Sequence, residues 1–94
     1  IWWPADNATV SGVQPFKAMI PNRDLSTYQM FWQVDNGQLN GMSDNQTDAP
    51  HKESDVDVSP WNWSGSGPYT INIVAKDNSG SLISQKSVRI NVSH

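Results

Sequence analysis

The chain has 94 residues, which is enough for one domain and leaves no room for a second hydrophobic core. Its net charge is −3 and its six Lys and Arg residues are scattered, so the clustered cations of a nucleic-acid or anionic-membrane binder are missing. No apolar stretch approaches the roughly 18 residues that span a bilayer, and the absence of cysteine excludes disulfides and thiolate chemistry.

The first predicted elements are a turn and a strand. Pro4 to Asn7 has the composition of a turn. Phe16, Ala18 and Ile20 alternate with other residues and so share the inner face of a strand. Pro15 predicts that this strand is an edge or begins with a bulge, because proline cannot donate to a sheet ladder.

The clearest strand runs from Thr27 to Asp35. One face of it is wholly apolar and carries Tyr28, Met30, Trp32 and Val34, whereas the other face carries Gln29, Phe31, Gln33 and Asp35. We expect Trp32 to be the core tryptophan around which the domain is built. Asn36-Gly37 follows as a hairpin turn, because both residues tolerate positive φ, and Gln38 to Met42 is the predicted return strand.

The middle of the chain is more polar. Ser43 to Pro50 lacks periodicity and predicts a loop. A short strand lies between His51 and Val58, with Val56 and Val58 inward and His51 in a segment that reads as exposed. Ser59 to Pro68 is a second predicted loop, which carries Trp61 and Trp63.

The last two strands form a hairpin that closes the domain. They run from Tyr69 to Lys76 and from Leu82 to Val92, with a turn at Asp77 to Gly80 between them. About seven strands at a spacing of roughly 8 to 12 residues are typical of a sandwich. The sequence therefore predicts that residues 1–94 form one all-β domain, an immunoglobulin-like antiparallel β-sandwich.

Four segments resemble bacterial immunoglobulin-like (Ig-like) domains. The opening WPADNATVSG at 3–12, the central MFWQVDNG at 30–37, the GPYTINIVAKDNSG at 67–80 and the closing VRINV at 88–92 match that family in order and spacing. The resemblance implies an accessory module of a secreted carbohydrate-active or cell-surface protein. The chain departs from the family pattern in having more Trp and a long polar insert from Asn40 to Asp55.

The surplus of tryptophan suggests a carbohydrate-binding surface. Sugar rings pack their C–H faces on flat aromatic groups, and neighbouring amides bond their hydroxyls. The aromatic candidates are Trp61, Trp63, Trp2 and Phe31, and the hydrogen-bonding candidates are Gln29, Gln33 and Asn62. Trp61 and Trp63 would share one side of an extended segment, whereas adjacent Trp2 and Trp3 would face opposite ways.

Each aromatic candidate also has a structural interpretation. Family members often place a core aromatic at the position of Trp63. Packing on a neighbouring domain, or flat on its own surface, is the alternative for Trp61, Trp2 and Phe31. Tyr69 opens its strand, so a structural corner role is expected for it.

The polar residues give little support for a metal or a reaction. Asp55 and Asp57 share a strand face and could bind Ca²⁺ together with Asp44 or Asp48, but no calcium-loop spacing is present. His51 and His94 lack metal-ligand spacing. We predict no catalytic residue, no metal and no cofactor.

The sequence favours a non-catalytic Ig-like accessory module of a secreted bacterial polysaccharide-degrading protein, extracellular or at the cell surface, that binds polysaccharide through exposed Trp. The alternatives are a structural spacer between the domains of a longer chain and a protein-binding module of a surface adhesin. An adhesin would present a free strand edge beside an exposed apolar patch. We expect a monomeric module with no nucleic-acid or membrane partner.

Overall fold

Eight strands and one short 3₁₀ turn make up the secondary structure of a computed structural model, which describes residues 2–47 and 49–94. The strands are β1 (Ala8–Val10), β2 (Val13–Ala18), β3 (Tyr28–Val34), β4 (Asn40–Gly41), β5 (Ser43–Asn45), β6 (His51–Asp57), β7 (Tyr69–Asp77) and β8 (Leu82–Val92), and the 3₁₀ turn is Leu25–Thr27.

The strands form two sheets. The larger has the order β1-β8-β7-β3-β4 and the smaller the order β2-β6-β5. Neighbours pair antiparallel except β1, which runs parallel to β8. The predicted all-β sandwich is therefore confirmed, and the edge position expected for Pro15 is confirmed because β2 is the outermost strand of the smaller sheet.

The core lies between the sheets and follows the predicted alternation. Phe16, Tyr69, Ile71 and Ile90 are fully buried, with the other inward-facing residues of both sheets around them. Trp32 is only partly buried: it packs against this core, with its ring 5.5 Å from that of Phe16 in an edge-on arrangement. The core is therefore not built around Trp32 as predicted: Trp32 packs against its border, and the buried tryptophan is Trp61.

Two predicted segments differ from the structure. Ser43 to Pro50 is not all loop, because its first residues form β5 and pair with β6. Asp44 joins Lys52 across that pair in an ion pair, so polar contacts define a strand that hydrophobic periodicity could not reveal. The β3–β4 turn also lies one residue earlier than predicted, with positive φ at Asp35 and Asn36, and β4 is only Asn40–Gly41.

The start of β6 is buried, which contradicts the exposed segment predicted around His51. His51 and Lys52 are 5% and 3% exposed. The Lys52 ammonium donates to the Leu25 carbonyl at 2.9 Å and lies 4.9 Å from the centre of the Tyr28 ring, so the long side chain brings its charge to polar partners. His51 lies under the ring of Trp2 and contacts the Ala49 carbonyl through Nδ1 at 2.9 Å.

Tyr69 has the corner role that the sequence predicted. It is fully buried, and its hydroxyl donates to the Gly65 carbonyl at 2.7 Å, four residues upstream. The same loop approaches β8 so closely that a Cβ on Gly67 would meet the Ile90 carbonyl oxygen at 3.0 Å, and Gly67 has a φ of 119°. Tyr69 and Gly67 together hold the 59–68 loop against the end of the sandwich.

Replacing Tyr69 tests this corner. Tyr69→Phe leaves the ring in place but removes the donor to a part-buried carbonyl, so we expect the free energy of unfolding to fall by about 1 to 2 kcal/mol in urea denaturation. Tyr28→Phe is the matched control, because the Tyr28 hydroxyl makes only a 3.3 Å contact with the Ile20 amide. Equal losses in the two variants would contradict the corner role of Tyr69.

The β7–β8 turn depends on one carboxylate. Asp77 Oδ1 accepts hydrogen bonds from the Ser79 hydroxyl and from the amides of Ser79 and Ser81, at 2.6 to 3.0 Å. The Ser79 hydroxyl, followed by the Ser81 amide, lowers the pKa of Asp77 below its ordinary value of 3.8. Because the folded pKa is the lower one, these bonds stabilise the fold above pH 3.8 and the stabilisation is lost as the pH falls through the folded value.

Acid titration of Asp77→Asn tests this turn. The variant cannot ionise at this position, so we expect its stability to fall less than that of the wild type between about pH 5 and about pH 1. Ser79→Ala removes the Ser79 hydroxyl, so its loss of stability on acidification should lie between those of the wild type and Asp77→Asn. Urea denaturation at each pH is the measurement, and parallel curves for all three proteins would contradict the assignment.

Candidate functional site

The outer face of β3 carries three of the predicted binding residues. Gln29 is exposed, Phe31 and Gln33 are half-buried, and their strand neighbours Tyr28 and Met30 are buried in the core. The alternation predicted for this strand therefore places all three side chains on the outer side of the larger sheet.

Phe31 has an open flank on this face. It pairs with Gly41 of β4 on one side and with Val74 of β7 on the other. Gly41 has no side chain, and nothing lies within 4 Å of where its Cβ would be. The Lys76 ammonium lies 5.8 Å from the centre of the Phe31 ring, so a cation already lies over part of the aromatic face.

Amide and hydroxyl groups continue the face next to Phe31. Gln33, Asn72 and Ser87 are cross-strand neighbours on β3, β7 and β8. Asn72 Nδ2 donates to Gln33 Oε1 at 3.1 Å, the Ser87 hydroxyl donates to Asn72 Oδ1, and Gln33 Nε2 donates to the Gly37 carbonyl at 2.6 Å. Each amide nitrogen has a second hydrogen, which can serve a ligand hydroxyl while the network holds the group in place.

Trp63 lies at the end of the sandwich, beside the residue that follows β3, and is 54% exposed. Its Nε1 donates to Asp35 Oδ2 at 2.8 Å, while Asp35 Oδ1 accepts from the Thr70 amide at 2.9 Å. Its ring meets that of Tyr69 edge-on at 5.1 Å. Two contacts, with Asp35 and Tyr69, therefore fix a half-exposed indole, and Asn62 beside it is exposed.

We call Gln29, Phe31, Gln33, Asp35 and Trp63 the β3 strip. From residue 29 to residue 34 the extended backbone of β3 covers about 17 Å. The strip combines two aromatic rings with amide and carboxylate groups, which is the chemistry that the sequence analysis sought for a carbohydrate surface.

Trp61 does not belong to this surface, which corrects the sequence prediction. It is 7% exposed and lies among the rings of Trp32, Trp63 and Tyr69, at centroid distances of 6.4, 5.6 and 5.5 Å. The prediction assumed an extended segment in which Trp61 and Trp63 point the same way. The chain instead bends, with the Trp61 amide bonded to the Val58 carbonyl and the Gly65 amide to that of Asn62. The core position suggested by the family for Trp63 is taken by Trp61.

Trp2 is exposed but lies elsewhere. It is 42% exposed, its amide bonds to the Lys17 carbonyl of β2, and its ring lies 4.7 Å from that of His51 on β6. Trp2 therefore belongs to the smaller sheet, and the structure does not bring it to the β3 strip. As predicted from their adjacency, Trp2 and Trp3 differ, since Trp3 packs against the core.

Two of the acids considered for Ca²⁺, Asp57 and Asp44, are engaged in other contacts. Asp57 Oδ1 accepts from the hydroxyl and the amide of Ser59, and the hydroxyl bond is the main reason why the pKa of Asp57 is lowered. Asp44 pairs with Lys52, and Asp48 lies outside the described residues. Within residues 2–47 and 49–94, no three acidic or histidine side chains are placed to hold a metal ion.

Comparison with known proteins identifies the fold and no closer relationship. No family model matches the sequence, and no curated protein matches it. Among solved structures, the chain is similar to one described as "Structures of Clostridium thermocellum CbhA fibronectin(III)-like modules", with a TM-score of 0.61 and 22% sequence identity over 96% of this chain and 92% of that one. This likeness confirms the immunoglobulin-like sandwich. No helix in the described ranges is both long and apolar enough to cross a membrane.

The different positions of Trp61 and Trp63 predict different effects of mutation. Trp61→Ala removes a buried ring and leaves a cavity, so we expect a loss of about 3 to 5 kcal/mol in the free energy of unfolding. Trp63→Ala removes a half-buried ring that packs on Trp61 and Tyr69, and one hydrogen bond, so a smaller loss of about 2 kcal/mol is expected. Urea denaturation of both variants is the measurement, and a larger loss for Trp63→Ala would contradict the assignment of the two rings.

Proposed function

We propose that the chain is a non-catalytic accessory module of a secreted bacterial polysaccharide-degrading protein, and that it binds polysaccharide along the β3 strip. The sandwich shared with the CbhA fibronectin(III)-like module supports the accessory role. The observation that carries the binding role is Trp63, a half-exposed indole held in one orientation by Asp35 and Tyr69.

Trp63 and Phe31 would act as stacking platforms. An indole that is already fixed loses little side-chain entropy when a sugar ring packs on it. Gln33 and Asn72 would donate their second amide hydrogens to hydroxyls, and Asp35 would accept from them. Modest affinity is sufficient for this role, because a module joined to a catalytic domain raises the effective concentration of that domain at its substrate.

Affinity gel electrophoresis tests this binding. We expect the wild-type chain to be retarded by one of the soluble cellulose derivatives, mannans, xylans or peptidoglycan fragments. Trp63→Ala and Phe31→Leu should weaken that retardation about tenfold, because each removes a flat ring; Phe31→Leu keeps an apolar side chain in its place.

Trp2→Ala is the matched control, since it removes an exposed indole from the other sheet. Retention of binding in Trp2→Ala with loss in Trp63→Ala supports the β3 strip. The reverse pattern would move the site to the smaller sheet and contradict this proposal. Thermal unfolding of each variant shows whether lost binding reflects lost folding.

A structural spacer is the second candidate, and one observation favours it. Trp63 packs against both Trp61 and Tyr69, so its ring also closes the end of the sandwich. In a spacer, the exposed part of Trp63 would lie against a neighbouring domain of a longer chain. The absence of retardation on every glycan would favour the spacer.

A further inference from the structure

The first half of β8 is an uncovered sheet edge. β1 pairs only with Ile90–Val92, and the Asn7 amide and the Asp6 carboxylate bond to Arg89. Backbone groups of an antiparallel strand alternate in direction, so Gln85 and Ser87 direct their N–H and C=O away from β7, as Arg89 does. No strand of the described residues covers these groups.

An apolar groove of about 260 Å³ lies beside this edge, between the two sheets. Its walls include Ile73 and Ile83 of the larger sheet and Ala18 of β2 in the smaller one. Ser84 lines it on β8 and is small, so a side chain entering from a strand alongside β8 would meet little obstruction. Leu82, at the start of the edge, is 60% exposed.

Among the residues that the structure describes, the groove is lined by one charged side chain, that of Lys86. It pairs with buried Ile73 across β7 and β8 and so faces the interior side of the sheet, although it is itself exposed. An inward-facing lysine on an edge strand opposes pairing with another apolar or basic strand. A second copy of this chain would bring a second Lys86 to the same groove, whereas an acidic strand would neutralise it.

We propose that residues Leu82–Val88 form a docking edge for an extended segment of a partner protein, which adds a strand to the larger sheet. Gln85 and Ser87 supply the main-chain hydrogen bonds of such an addition. The segment has a Glu or Asp opposite Lys86 and an aliphatic residue two positions away, opposite Ser84, whose side chain fills the groove. This edge is separate from the β3 strip and does not depend on carbohydrate binding.

Synthetic peptides test the docking edge. The probe is Thr-Val-Thr-Glu-Thr-Val-Thr, in which Val and Glu alternate onto one face, and the controls have Lys or Pro in place of Glu. Amide hydrogen exchange followed by NMR is the measurement. We expect the Glu peptide to slow exchange at Gln85 and Ser87 at least severalfold, and the Lys and Pro peptides to leave it unchanged.

Two variants distinguish an effect of the charge that faces the groove from an effect of the net charge of the chain. Lys86→Glu should abolish protection by the Glu peptide and create it for the Lys peptide. Gln85→Glu, which places its new charge on the other face of the same strand, should keep the preference for the Glu peptide.

Three results would overturn the proposal. The first is that the Glu peptide leaves amide exchange at Gln85 and Ser87 unchanged. The second is that the Glu and Lys peptides slow this exchange equally. The third is that exchange in the wild-type chain without peptide becomes slower as the protein concentration rises. The last result would make a second copy the occupant of the edge.

Discussion

The end of the sandwich depends on the packing of the buried Trp61 ring against Trp32 and Tyr69. This ring fills the space between Trp32 and Tyr69, so the loop after Val58 must fold inward to deliver it. The Tyr69 hydroxyl then fixes the following turn at Gly65. Trp63 is held at the surface by the same packing, because the interior position is already occupied. The same packing of the loop therefore buries Trp61 and leaves Trp63 half-exposed.

The position of Trp63 connects the loop to the larger sheet. Asp35 directly follows β3 and accepts hydrogen bonds from both Trp63 and Thr70, so one carboxylate joins the loop, the β3–β4 turn and the start of β7. Asp35 thus connects the end of β3 to an aromatic side chain from a distant loop. The two surfaces we propose lie on different parts of the same sheet, one on the face of β3 and one at the free edge of β8.

The sequence predicted the sandwich because alternation is strong where one face of a strand is buried. Tyr28 to Val34 and Tyr69 to Ala75 show this pattern, and both strands are where it placed them. β5 could not be predicted in this way, because an edge strand held by Asp44 and Lys52 has no apolar alternation. Lys52 and His51 were misjudged for a related reason, since their polarity concealed buried positions whose partners are distant in sequence.

The candidate site was predictable only in part. Alternation placed Gln29, Phe31 and Gln33 correctly on the outer face, but the choice between Trp61 and Trp63 depended on a bend in the loop that no local pattern reveals. The Asn72–Ser87 continuation of the face was missed because it requires the register of three strands. The sequence placed Asp35 on the outer face but did not mark it as a binding residue, yet its carboxylate bonds to the Trp63 indole.

The five indole N–H signals in a nitrogen-15 NMR spectrum, followed during titration with the soluble glycan that retards the chain most, test the central claim most directly. The account predicts that the Trp63 signal shifts with saturation, together with the Gln33 and Asn72 side-chain amides, while the Trp61 and Trp2 signals stay in place. Movement of the Trp2 signal alone, or no movement at Trp63 at a saturating concentration, would contradict it.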